Sequence, residues 1–173
     1  MQTPLKGLLF DNDGVLVDSM PGALQAWVSW GERYHQDFVL SAEYHGRRAS
    51  DIVAELVSED KFHHALDYIN QLELDQAHST TALVGTLELL ASLPDGTWNI
   101  VTGANPELAR ARLSAAGILA PQALVTAADG QKGKPDPEPY LLGAQKIGIP
   151  ISECAVFEDA PAGLVAGKLA GAA

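Results

Sequence analysis

At 173 residues the chain is long enough for one or two domains and a substantial buried core. Apolar residues make up 47% and charged residues 19%, the balance of a globular protein and not of a disordered one. A net charge of −11 disfavours nucleic acid and anionic membrane as partners, and the single cysteine, Cys154, excludes an internal disulfide and a cysteine-based zinc site. Met1-Gln2-Thr3-Pro4 lacks the basic start of a secretory signal, and no apolar run approaches the length of a membrane helix, so a reducing cytoplasm is the expected location.

The first stretch with chemical content is Leu8-Leu9-Phe10-Asp11-Asn12-Asp13-Gly14. Residues 5–10 read as a buried strand that ends abruptly in carboxylates. Gly14 marks the turn that must follow. Asp11 and Asp13 are therefore expected at the carboxyl end of that strand, where open α/β sheets bind ligands. Side chains two apart on an extended segment face the same way, so the two carboxylates share a pocket. A divalent cation would relieve their repulsion. Such a pair can also divide labour between nucleophile and proton carrier. An acidic turn after a strand would look the same in isolation, so the remaining chain has to decide.

Residues 17–80 read as helical. Leu24, Trp27, Val28, Gly31 and Tyr34 fall on one helical face; Ile52, Leu56 and Val57 form a second stripe, and Phe62, Leu66 and Ile69 a third. These predict the core of a small helical bundle. The segment carries eleven Asp/Glu against four Lys/Arg. Two of the four are adjacent in His45-Gly46-Arg47-Arg48, where Gly46 suggests a turn. That turn is either a solvated basic loop or a loop offering donors to an anion. His35, His63, His64 and His78 have no partner at metal-ligand spacing and are assigned to surface or core.

From Leu83 the pattern alternates. Leu83, Leu87, Leu90 and Leu93 follow a helix; Asn99-Ile100-Val101 is a strand ending at Thr102-Gly103. Asn105-Pro106 opens a helix that Gly117 closes. Ala123-Leu124-Val125-Thr126 is the third strand. Asp136-Pro137 opens a helix closed by Gly148, and Ala155-Val156-Phe157 is the fourth strand, ending at Glu158-Asp159. Cys154 beside that run is expected to be a buried core thiol. Pro161 starts the last helix and Gly171 ends it. The alternation predicts an α/β protein with a doubly wound parallel sheet. The helical block is a second small domain inserted after strand one: residues 1–16 and 81–173 form the sheet domain, and residues 17–80 the helical one, with hinges at about 15–20 and 78–83. A further strand would normally follow the last helix, so the last core strand is expected to be missing and strand four to lie near a sheet edge.

Parallel strands put ends of one sense on one edge of the sheet. Asp11 and Asp13, Thr102, the loop holding Lys132-Gly133-Lys134-Pro135-Asp136, and Glu158-Asp159 can therefore converge. Each alone is weak: Thr102 could cap a helix, Lys134 could be a solvated loop lysine, and Glu158-Asp159 could cap the helix at Pro161. Together they match a magnesium-assisted phosphoryl-transfer site, in which hard oxygens hold the ion while a lysine and a hydroxyl hold phosphate oxygens.

In this order and spacing the chain resembles the haloacid-dehalogenase-like hydrolases. Asp11-Asn12-Asp13-Gly14-Val15-Leu16-Val17-Asp18-Ser19 resembles the first family motif, and Thr102-Gly103-Ala104-Asn105 the second. Gly133-Lys134-Pro135-Asp136-Pro137-Glu138-Pro139-Tyr140 resembles the third, and Glu158-Asp159-Ala160-Pro161-Ala162-Gly163 the fourth. With a helical insertion after the first motif, the pattern looks like the branch of sugar-phosphate and glycerol-phosphate phosphatases, neighbours of the phosphoglycolate phosphatases and β-phosphoglucomutases. Asn12 departs from the apolar residue many members carry, and its side chain is expected to point away from the pocket. The family's last strand would lie beyond Ala173.

The resemblance implies a phosphatase for a small phosphorylated metabolite. Asp11 would attack phosphorus and become an aspartyl phosphate. Asp13 would protonate the leaving oxygen and then take a proton from the hydrolytic water. Mg²⁺ would be held by Asp11, the Asp13 backbone carbonyl and Asp159, with Glu158 direct or through water. Lys134 would neutralise Asp11 and the phosphoryl group, and Thr102 would donate to it. Backbone N–H groups of Asn12, Asp13, Gly14 and Gly103 would complete the cradle, and Arg47 and Arg48 would meet the substrate from the helical insertion. The competing expectations are a phosphomutase and a catalytically inactive binding or regulatory module. A dehalogenase would need neither Asp13 nor magnesium. A phosphonate-cleaving enzyme would need a Schiff-base lysine, and Lys61, the one lysine of the insertion, lacks the context. The oligomeric state is left open.

Overall fold

The computed structural model describes residues 5–173; the opening Met1–Pro4, read above for a signal peptide and as the start of the sheet domain, lies outside them. Gly7–Phe10 forms β1, at the centre of a parallel sheet. Trp98–Ile100, β4, pairs with it on one side and Cys154–Phe157, β5, on the other. Both faces of β1 are covered, which is why its sequence is apolar without alternation. Leu8 and Phe10 face Ile100, Ala109 and Leu113; Leu9 faces Tyr140, Ala144 and Ala166. Helix α5 (Pro106–Ala115) contributes to the first layer, and α6 (Glu138–Ile147) and α7 (Pro161–Ala170) to the second. Cys154 is fully buried in that second layer.

Several expected boundaries shift. The third strand, expected at 123–126, is reduced to one parallel bridge between Val101 and Val125. Val125 donates to the Ile100 carbonyl and its own carbonyl accepts from Thr102, but Thr126 turns away, its N–H and hydroxyl both donating to Asp129. Leu83 precedes α4 (Thr86–Ser92), and Leu87 is exposed. Among the described residues β5 pairs only with β1 and lies at the sheet edge.

The segment expected to be helical over 17–80 opens with one strand of a two-stranded antiparallel ribbon, whose other strand follows just beyond residue 80. Val17–Asp18, β2, pairs with Thr81–Ala82, β3, in the register Val17 to Ala82 and Asp18 to Thr81. Two residues per strand are too few to show a periodicity. Between them lie α1 (Met20–Tyr34), α2 (Ala49–Leu56) and α3 (Glu59–Gln76), with irregular chain over residues 35–48. The three helices enclose their own apolar cluster, centred on Trp27, Trp30, Ile52, Val53, Ala65 and Ile69. The buried face of α1 is rotated from the expected stripe: Leu24 and Val28 are exposed, while Ala23, Ala26 and Trp30 point inward. The small alanines admit α3, and the Trp30 indole N–H donates to the Ala65 carbonyl at 2.8 Å. Burying that indole satisfies its one polar atom.

Candidate active site

The strand ends converge as parallel topology requires. Asp11 leaves β1 with its N–H still donating to the Phe157 carbonyl (2.9 Å), so its side chain is fixed by the sheet. The chain then folds back sharply: the Asn12 carbonyl accepts from the N–H of Leu16 (2.9 Å) and of Val17 (3.0 Å). Gly14 sits at φ +86°, and a Cβ there would lie 2.0 Å from Asp159 Oδ2, so no other residue fits between the two acidic strand ends.

Asp11 is 2% exposed. Lys134 Nζ donates to Asp11 Oδ1 at 2.8 Å, to the Val101 carbonyl at 3.0 Å and to Glu158 Oε1. Tyr140 donates its hydroxyl to the same Glu158 oxygen, and its ring lies 5.1 Å from the ammonium. Burial pushes the Asp11 carboxyl up to about 7; Lys134 opposes the rise, and Glu158 and Asp13 add to it. Burial works against the Lys134 ammonium, but Asp11 and Glu158 outweigh it and hold the lysine above its ordinary value. Burial and the neighbouring Glu158 also raise Asp159.

Asp13 is held differently. Its Oδ1 accepts from Ser19 Oγ (2.6 Å) and from Arg112 Nη1 (3.1 Å), and its Oδ2 from Thr102 Oγ1 at a longer 3.4 Å. Thr102 is itself fixed: its hydroxyl oxygen accepts from Ala104 N–H at 3.1 Å.

A cavity of about 280 Å³ opens over these groups. Asp11, Asp13, Thr102, Gly103 and Asp159 line its floor; His45, Arg47, Arg48, Asn70 and Glu73 come from the helical layer. Lys134 and Glu158 do not line it. The turn at residues 45–48 lies directly on the second strand end: a Cβ on Gly103 would come within 2.9 Å of the Gly46 carbonyl and 3.2 Å of the Arg47 carbonyl. The two arginines already have partners. Arg47 pairs with Glu55, and its guanidinium sits 5.7 Å from the Tyr44 ring. Arg48 is 7% exposed and donates to the Gly130 carbonyl at 3.2 Å, bracing the loop that carries Lys134. Asn12 is completely buried, away from the cavity lining, with neither side-chain atom hydrogen-bonded. The Gly14 N–H donates to the Val17 carbonyl at 2.8 Å, so it is not free for a phosphate.

Asp11, Glu158 and Asp159 each offer a carboxylate oxygen within 4.8 Å of the others. Three oxygen donors crowded together, with one lysine among them, fit a hard divalent cation and not a thiol- or imidazole-seeking metal. Four residues of this network were given no role from the sequence: Ser19 and Tyr140, which close the first and third motifs, and Glu73 and Arg112. Arg112 left a signal, since it falls on the apolar stripe Leu108, Ala109 and Leu113 of α5, where a charge needs a reason.

A parallel α/β sheet whose strand ends bring a buried lysine–carboxylate pair, a second aspartate, a threonine and a third acidic group to one cavity defines a phosphoryl-transfer enzyme. The chain belongs to the haloacid dehalogenase-like hydrolases, whose family profile matches residues 5–171, and it is a phosphatase of that family, a phosphoric monoester hydrolase. It is 40% identical over 182 residues to hexitol phosphatase A of Escherichia coli, covering 96% of this chain and 80% of that protein. It is 33% identical over 180 residues to glycerol-1-phosphate phosphohydrolase 2 of Saccharomyces cerevisiae, covering 94% and 70%. Among solved structures, a hydrolase from Pseudomonas syringae superposes with a TM-score of 0.85 at 27% identity, over 96% of this chain and 82% of that one. No helix among the described residues is long and apolar enough to cross a membrane.

Proposed function

We propose that this phosphatase hydrolyses the monoester of a small sugar, polyol or glycerol through an aspartyl-phosphate intermediate on Asp11. The observation that carries the mechanism is the buried Asp11–Lys134 pair at 2.8 Å, with Asp11 beside Asp13 at the floor of the cavity and Lys134 behind it. Asp11 is the nucleophile because the sheet fixes it and Lys134 favours its ionised form. Asp13 stands two residues on with one oxygen toward Thr102 and the cavity, placed to protonate the leaving oxygen and later to take a proton from water. Thr102 and the N–H groups of Asn12, Asp13 and Gly103 would receive the phosphoryl oxygens.

Mg²⁺ would be held by Asp11, Asp159 and the Asp13 backbone carbonyl, with Glu158 behind them through water. When bound it would neutralise charge developing on the phosphoryl oxygens. The helical layer, residues 17–80, is proposed to act as the cap that closes on the substrate about the β2–β3 ribbon. Its cavity wall offers side-chain donors and acceptors at Ser50 and Asn70, with Asn105 of the sheet domain beside them, among apolar Trp27, Leu40 and Leu66, which suits a hydroxylated carbon chain. The hexitol and glycerol phosphatase relatives point to the same substrate class.

The test is release of inorganic phosphate from a panel of hexitol, hexose and glycerol phosphates, with and without Mg²⁺. We expect Mg²⁺-dependent release that favours polyhydroxylated substrates. Transfer of phosphate to a second position of the sugar without release would instead indicate a mutase.

A further inference from the structure

Arg112 is a guanidinium on the apolar face of α5, 6% exposed, bound by one carboxylate from each side of the cavity. Nη1 meets Asp13 Oδ1 at 3.1 Å, and Nη2 meets Glu73 Oε1 at 3.1 Å. Asp13 belongs to the sheet domain and Glu73 to α3 of the helical layer. A buried guanidinium needs its charge compensated, and removal of one partner leaves it short. Burial pushes the Glu73 carboxyl up, and Arg112 draws it back toward the charged form. A second contact crosses the same seam: Asn70, one turn from Glu73 on α3, accepts from Asn105 Nδ2 at 3.2 Å, and Asn105 caps α5.

The contacts on Asp13 are asymmetric. Both short donors, Ser19 Oγ and Arg112, converge on Oδ1. Arginine has no acceptor to offer, and a carboxyl oxygen already receiving two donors is a poor place for a proton. The proton is thereby directed to Oδ2, the oxygen beside Thr102 in the cavity lining.

We infer that Arg112 is the positioning residue for Asp13 and that Glu73 makes its hold depend on the helical layer being seated over the site. The acid is then correctly oriented only when the cavity is closed. The inference rests on the proposed role of Asp13 as proton donor.

A lost or misaligned acid shows in the leaving group. An alkoxide needs a proton to depart, whereas nitrophenolate departs without one. Steady-state turnover of glycerol phosphate is therefore compared with the rapid-mixing burst of nitrophenolate from p-nitrophenyl phosphate, which reports formation of the phospho-enzyme alone. Arg112→Met is expected to lower glycerol phosphate turnover about 100-fold while changing the burst rate less than about 5-fold. Arg112→Lys should recover part of the loss, because it restores the charge without the fork. Glu73→Gln should show the same contrast in weaker form, about 10-fold against little change. The double variant Glu73→Gln/Arg112→Met removes the buried Glu73 charge together with its cation, leaves only the part-exposed Asp13 without that partner, and carries the comparison if Arg112→Met does not fold. Asp13→Asn, run alongside, defines the signature of a missing acid. Equal losses on both substrates in the arginine variants, or undiminished glycerol phosphate turnover, overturn the inference while the Asp13 assignment stands. Equal losses in Asp13→Asn overturn both.

Discussion

Removing divalent cations should make the stability of this protein fall as pH rises across neutrality. Asp11 is raised from an ordinary 3.8 to about 7 in the fold, chiefly by burial. A carboxyl whose folded value lies above its unfolded one stabilises the fold at pH values below the unfolded value. That contribution is lost as pH climbs through the folded value. From 3.8 and about 7, linkage gives a loss of about 2 kcal/mol between about pH 5.5 and about pH 8. Burial raises Glu73 and Asp159 as well, and their contributions have the same sign. Asp129 and Asp136, which are lowered, are ionised in both states over that range and do not offset it. For a chain of this size, 2 kcal/mol corresponds to a fall of roughly 4–8 °C in melting temperature. The assay is thermal unfolding followed by circular dichroism in excess chelator at the two pH values. Mg²⁺ added at the higher pH should restore the loss, since it binds the ionised carboxylates. A metal-free chain equally stable or more stable at the higher pH would show that Asp11 is ionised throughout, and the burial argument would fail.

Asp11→Asn should reduce phosphate release by several orders of magnitude with the fold retained, because an amide cannot form the acyl phosphate; phosphate release and a melting curve check it together. Activity should return with Mg²⁺ but poorly with Ca²⁺, whose longer bonds and higher coordination number displace the nucleophile. Full turnover in excess chelator would contradict the metal assignment. The two loop arginines should separate. Arg47→Ala removes a guanidinium that lines the cavity, leaves Glu55 without that partner and should change the ranking of phosphorylated substrates; Arg48→Ala removes a buried donor from the Gly130 carbonyl and should cost about 1–3 kcal/mol of stability with losses on every substrate. Kinetics on the substrate panel and denaturant unfolding of both variants measure this.

The acidic strand ends were legible because their signal is local. An apolar run, two aspartates and a glycine fix strand, loop and turn within a few residues, and the parallel topology then brings distant ends together without further information. Asn105-Pro106 was legible for the same reason, and its Oδ1 does accept from the Leu108 N–H at 2.9 Å. Tertiary packing decided the rest. The β2–β3 ribbon depends on pairing across the whole helical insertion, and the buried face of α1 was set by how closely α3 approaches its alanines. Glu73 carries no motif, and Ser19, the last residue of the first motif, has no chemistry readable by itself; they matter through Arg112 and Asp13, which they contact.

Glu158 and Asp159 show how neighbouring, chemically similar residues acquire different tasks. Asp159 reaches the cavity and packs against Gly14, so it is available to a cation. Glu158 turns inward, where Lys134 and Tyr140 occupy one oxygen and Ala160 N–H approaches the other at 3.4 Å. Lys134 then has an acceptor for each of its three protons: Asp11, Glu158 and the Val101 carbonyl. In the proposed mechanism an ammonium so engaged and absent from the cavity lining would act on phosphate through Asp11, by fixing the nucleophile and balancing its charge. Contact with a phosphoryl oxygen would require it to release one of those acceptors. On that proposal Tyr140 and Glu158 serve the reaction although neither lines the cavity, because they hold the lysine that holds Asp11.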